Sequence, residues 1–182
     1  MRAFDEAVQL LPDLAKASLK HIDTEDVHSL VEYLRSARHI VIFGRGRSGL
    51  VARTFAVRLG HLGFRAFVVG ETSTPPVSDE DLVVLVSGSG QTFSVTLTAQ
   101  IARDLGARVV ALTATPDSRL AELADVVLVL DGHAGSATGG VAPLGTVFEF
   151  AAHLFFDALV AVLMSELGET EASMQARHAT LE

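Results

Sequence analysis

The chain has 182 residues, 49% of them apolar and 20% charged, a size and balance that suit one folded domain and exclude a disordered polymer. It contains no cysteine, which excludes a disulfide framework and cysteine-based metal or redox chemistry. Its formal net charge of −8 argues against nucleic acid as a partner, because such binding rests on Lys and Arg neutralising phosphates.

The opening stretch MRAFDEAVQL places two acids early and has no basic region followed by an apolar one, so a signal peptide is not expected. No run of residues approaches the roughly 18 apolar positions of a membrane span, so no membrane partner and a cytoplasmic location are expected. A helical stretch runs from about Ala3 to Ala37, broken near Asp23 and Thr24, where Thr24 can cap the second helix. Pro12 is expected to kink the first helix or restart it.

Five short apolar runs follow: Ile40 to Phe43, Ala66 to Val69, Leu82 to Val86, Val109 to Leu112 and Val126 to Leu130. None alternates polar with apolar, the mark of strands buried on both faces of a parallel sheet. Between them lie helical patterns, with Val51, Phe55, Leu59 and Leu62 on one face and Val95, Ala99 and Ala102 on another. Gly63 and Gly106 stop these two helices. Strands alternating with helices predict right-handed βαβ units and a three-layer, doubly wound α/β fold. Its five-stranded parallel sheet is expected in the flavodoxin-like order 2-1-3-4-5. After the last strand comes a loop of small residues, Asp131 to Leu144, then a long apolar helix from about Thr146 to Leu167 and a polar tail. The chain divides into N-terminal helices over 1–37, an α/β core over 38–167 and a tail over 168–182, all one domain.

Two loops carry the chemistry. Gly44-Arg45-Gly46-Arg47-Ser48-Gly49 follows strand one, and Ser87-Gly88-Ser89-Gly90-Gln91-Thr92 follows strand three; each opens a helix. Glycines bring backbone N–H groups close to a ligand, and a helix start favours an anion. Ser48, Ser87, Ser89 and Thr92 add hydroxyl donors, and Arg47 adds a planar charged fork. In the order 2-1-3-4-5 strands one and three are neighbours, so both loops flank one crevice at the switch point. A lone serine there would be a cap; four hydroxyls among two glycines exceed what capping needs. The first loop also fits Gly-x-Gly-x-x-Gly with Glu71 near the end of strand two, the dinucleotide pattern. Two arginines crowd the place of a pyrophosphate, and a dinucleotide leaves the second loop unexplained.

With these loops in place, the sequence resembles the sugar isomerase (SIS) domain family. The stretches GRGRSGLVARTFAVRLGHLGF, VVGETSTPP, VSGSGQT, APLGTVFEF and MQARHATLE resemble its 6-phospho-3-hexuloisomerase branch, from the N-terminal helices to the tail. The resemblance implies interconversion of D-arabino-hex-3-ulose 6-phosphate and fructose 6-phosphate in formaldehyde fixation, with no metal or organic cofactor, by a protein that is usually a tetramer. It places phosphate on Ser87, Gly88, Ser89 and Thr92 with Ser48 assisting, sugar contacts on Gly46 and Arg47, and proton transfer on Glu149, with His61 and His178 as further candidates. The sequence departs from the pattern at Arg45, where a small residue is usual, and at Gly60 and His153.

Moving a carbonyl from C3 to C2 requires a base near both carbons and donors near both oxygens. Glu149 has two readings: that base, or the acid of a capping box Thr146-x-x-Glu149. His61 falls in the last turn of the helix that begins at the crevice, so it would serve a neighbouring subunit's site or merely complement the helix end. His178 would act only if the tail folds over a site; otherwise it is a solvated terminus. Glu149, His153 and Asp157 share a helix at i, i+4 and i+8 but spread over too many turns to converge on one metal. His21, His28, His39 and His133 are expected at the surface or in structural roles. The long helix is apolar on more than one face, through Phe148, Phe150, Leu154, Phe155, Phe156, Leu159, Val160, Val162 and Leu163, which predicts a subunit interface and a homodimer or homotetramer. A sugar-phosphate sensor and a different sugar-phosphate isomerase, such as one for arabinose 5-phosphate, are the competing functions.

Overall fold

A computed structural model describes residues 2–131 and 140–181. Two helices, α1 (Arg2–Ser18) and α2 (Thr24–Ser36), lead into β1 (Ile40–Gly44), α3 (Gly46–His61), β2 (Ala66–Val68) and β3 (Leu82–Val86). There follow α4 (Phe93–Asp104), β4 (Arg108–Thr113), α5 (Arg119–Leu123), β5 (Val126–Val129), α6 (Thr146–Leu167) and α7 (Glu171–Ala176). The sheet is parallel throughout, in the order β2-β1-β3-β4-β5. This is the expected α/β architecture, and each expected apolar run became a strand.

The sheet divides the core. On one face α1, α2, α3 and α6 pack over Ile40, Ile42, Leu82, Val84, Val110 and Leu112; on the other α4 and α5 cover Val41, Val83, Leu85, Val109 and Ala111. Both faces of β3 are buried, which is why its sequence LVVLV has no polar position. Phe55 of α3 stacks on Phe156 of α6 with ring centroids 4.1 Å apart and planes within 11°. Such a pair contributes about 1 kcal/mol beyond its buried area and fixes the spacing of two helices that both begin at the crevice.

Among the described residues α6 alone is long and apolar enough to span a membrane, yet half of that window is buried against its neighbours. Sheet and helices cover Phe148, Phe155, Phe156, Leu159 and Leu163, as in the core helix of a globular domain.

Several local expectations change. Asp23, and not Thr24, caps α2: its carboxylate accepts a hydrogen bond from Glu25 N, and Thr24 is the first helical residue. A carboxylate also complements the helix dipole, so it wins the position. Pro12 lies inside a continuous α1. The tail contains a helix: α7 opens with a reciprocal capping box of Thr170 and Ser173 and buries Met174. The short α5 has no counterpart in the sequence reading. Gly132, Gly135, Gly139 and His133, in the loop expected over Asp131 to Leu144, lie outside the described residues.

Candidate active site

Register builds the site. Gly44 and Val86 are paired residues of β1 and β3, so the two loops leave adjacent strands at the same level. The first loop turns directly into α3. A Cβ on Gly49 would come within 2.6 Å of Gly44 O, so only glycine lets the helix start this close to its strand. In the second loop Gly90 has φ 60°, and a Cβ there would meet Ser118 Oγ at 2.1 Å. The carbonyl of Gly88 accepts from Ala114 N (3.0 Å), Thr115 Oγ1 (3.2 Å) and Thr113 Oγ1 (3.3 Å). These three bonds pin the loop to the end of β4 and, through a trans peptide, turn Ser89 N–H away from β4.

The hydroxyls are not spent on capping. Thr92 is the N-cap of α4 but makes no side-chain capping bond; its Oγ1 lies 3.2 Å from Ser87 Oγ. Ser89 Oγ accepts from Gln91 N at 3.2 Å, which holds it in the loop. Ser48, Ser87, Ser89 and Thr92 line one cavity of about 320 Å³ with Arg45, Gly88, Phe148 and Glu149.

Glu149 reaches this cavity from the first turn of α6, with only 13% of its side chain exposed. The capping-box reading fails here. Gly145 is the N-cap, Thr146 is already helical, and the Thr146 hydroxyl donates to Pro143 O. Arg47 Nε lies 2.5 Å from Glu149 Oε2, but off the N–H direction, and Oε2 is buried without a hydrogen bond. A carboxylate held by charge but not saturated by donors keeps a lone pair for a proton. Just before it Leu144, fully exposed, holds φ 54°, a conformation costly for leucine and characteristic of functional sites.

The two arginines of the first loop divide between two adjoining cavities. Arg47 does not line the polar cavity; it bridges Glu149 to an adjoining apolar cleft of about 790 Å³ walled by Phe4, Val8, Leu50, Phe150 and His153. Gly46 lines neither cavity. Arg45, marked in the sequence only as a departure, lines the polar one. Glu71, the acid of the dinucleotide pattern, is paired with Arg53 at 2.8 Å. His153 faces Asp157 at 3.7 Å while Glu149 turns to Arg47, so these three do not form a common ligand set.

His61 and His178 lie elsewhere, and together. Their rings stack with centroids 5.1 Å apart, beside a third cavity of about 420 Å³ lined also by Arg58, Asp157, Glu171 and Gln175. Ser48 and His61 sit at opposite ends of α3, about 20 Å apart at 1.5 Å per residue. Within one chain the histidines and Glu149 cannot share a substrate.

The SIS domain model matches residues 33–161. The chain belongs to the SIS domain family. A Bacillus subtilis protein named 3-hexulose-6-phosphate isomerase is 37% identical over 186 residues and 100% of both chains. A Methanococcus jannaschii protein, whose crystal structure was taken to infer a molecular function of 3-hexulose-6-phosphate isomerase, is 32% identical with a TM-score of 0.84 over 100% of each chain. The Vibrio vulnificus NanR protein, in complex with ManNAc-6P, is 32% identical with a TM-score of 0.76, covering 96% of this chain and 65% of that one.

Proposed function

We propose that this SIS protein is an isomerase that interconverts D-arabino-hex-3-ulose 6-phosphate and fructose 6-phosphate. The likeness to relatives bearing the corresponding name supports it. One observation carries the chemistry: a half-masked carboxylate, Glu149, opens into the same cavity as the serine loop.

In this reading Ser87, Ser89 and Thr92 hold the phosphate dianion with the amides of the α4 start, Ser48 and Arg45 face it from the first loop, and the sugar extends toward Glu149. Glu149 takes the proton from C2 as the C3 carbonyl becomes an enediolate, then returns it to C3 as the carbonyl forms at C2. One carboxylate suffices because the two carbons are adjacent. The hydroxyl proton must also pass from O2 to O3, and an imidazole suits that transfer. The stacked His61 and His178 of a neighbouring copy would supply it. The chain therefore works as a homo-oligomer, and the reaction belongs to the cytoplasm.

The test is a coupled assay for fructose 6-phosphate from the hexulose phosphate, run beside a panel that includes arabinose 5-phosphate. Product from the first alone is expected. Turnover of another substrate instead would reassign the enzyme within the family, and phosphate-sugar binding with no turnover at all would make it a sensor.

A further inference from the structure

The tail motif Arg177-His178 contains a residue that the reaction scheme above leaves without work. Arg177 directs the end-on edge of its guanidinium to partners within the chain. Its two terminal nitrogens bond the two carboxylate oxygens of Glu169, each at 2.9 Å, and one of them also donates to His61 O at 2.9 Å. Ser173 Oγ donates to the same carboxylate from within α7. The end-on edge of the fork is thus committed to Glu169, and three of the five N–H donors serve contacts within the chain.

The clamp joins three points that sequence keeps apart: the end of α3, the turn after α6 and the residue preceding His178. The helix α7 does not depend on it for anchorage, since Met174 is buried and Thr170 and Ser173 form their own capping box. What Arg177 fixes is the last carbonyl of α3, which is that of His61 itself, relative to the backbone that carries His178. The two ring positions are thereby set from one guanidinium.

We propose that Arg177 is a positioning residue that sets His178 over His61, acting through Glu169 and the His61 carbonyl and not through contact with substrate. This rests on the reading that the histidine pair completes a neighbouring copy's cavity. The clamp is robust to acid: hydrogen bonds from Arg177 and then Ser173 bring the Glu169 carboxyl down to about 2, so it stays ionised wherever the protein would be assayed.

The test combines kinetics with ring contact in the full-length protein. Arg177→Gln is expected to lower kcat about tenfold with KM within about twofold, because the phosphate loop is untouched while the imidazoles are misplaced. Glu169→Gln, which leaves the arginine in place without its charged partner, should give a smaller loss of the same kind, and Arg177→Lys should recover part of it. In a His178→Ala background, Arg177→Gln should add less than a twofold loss. The ring-to-ring nuclear Overhauser effect between His61 and His178 should vanish in Arg177→Gln with the circular dichroism melt still cooperative. Losses that multiply in the double variant, a raised KM at unchanged kcat, or a persisting ring contact would overturn the proposal. Full activity of His178→Ala would instead remove the histidine reading on which it stands, whereas an impaired His178→Ala beside an unimpaired Arg177→Gln sinks the clamp alone.

Discussion

Glu149 and the serine loop make separable contributions, and two predictions divide them. Glu149→Gln preserves shape and removes the basic lone pair, so kcat should fall ~10²–10⁴-fold with KM little changed, the signature of a lost general base. Stopped assays at high enzyme concentration would measure it; a loss of less than fivefold would move proton transfer to another group. Thr92→Ala deletes a hydroxyl that α4 does not need for capping. A hydrogen bond to a charged group contributes about 1.5–3 kcal/mol, so KM should rise between roughly 10- and 150-fold while the melting temperature hardly moves. A drop in stability without a change in KM would show that the hydroxyl serves the fold. The ambiguity over Glu149 had a simple origin. Thr-x-x-Glu reads as a capping box only if the threonine is the N-cap, and the helix begins one residue earlier in register, at Gly145. A single-residue uncertainty in a helix boundary decided between two roles, and the sequence pattern does not resolve boundaries that finely.

At the scale of elements, the strands were readable because each is buried on both faces and had to be apolar throughout. The order of the sheet followed from chain topology, and the shared crevice from that order. What stayed hidden was short or polar: α5 has five residues and α7 six, too few for a periodicity to emerge. Also hidden was a buried polar tie at the sheet edge opposite the crevice. Asp81 accepts from His39 N at 3.1 Å and from Ser78 N at 2.7 Å, and faces His39 Nδ1 at 3.0 Å and Ser78 Oγ at 3.0 Å. It joins the entrances of β1 and β3, the two strands whose far ends carry the loops. Burial alone would raise the Asp81 carboxyl, but the Ser78 amide and hydroxyl together with His39 outweigh it and hold it below the ordinary 3.8. A depressed value means a stabilising contribution that is complete above that ordinary pH and lost as pH falls through the lower folded value. Asp81→Asn should therefore cost about 3 kcal/mol at neutral pH, by leaving buried donors ill-matched, and this penalty should shrink toward acid. Urea melts at pH 7 and pH 3 measure both; a penalty independent of pH would mean that the carboxylate charge does not matter.

At the scale of the whole molecule, the exposed apolar surface lies on both layers. Phe93, Leu97 and Ile101 of α4 and its C-cap Leu105 form a stripe at intervals of four, whereas Phe4, Val8, Leu50 and Phe150 cluster on the opposite layer around the apolar cleft beside Glu149. Two separate faces of this kind suit a dihedral assembly of four copies better than a lone dimer. The catalytic reading demands at least one of them, because the imidazoles lie at the far end of α3 from the carboxylate. Mixing experiments convert that demand into a number. Glu149→Gln and His178→Ala subunits should each be nearly inactive alone. In a mixed pair that exchanges histidines, one cavity joins the intact Glu149 of one copy to the intact His178 of the other, and the second cavity carries both defects. Random reassembly makes half of all pairs mixed, so activity should return to about a quarter of wild type, from parents that have almost none. Recovery after denaturing and refolding the two variants together, but not after mixing the folded proteins briefly, would tie it to subunit exchange. If the co-refolded mixture gave only the average of its parents, each site would be built from one chain, and the stacked histidines would have no part in the reaction.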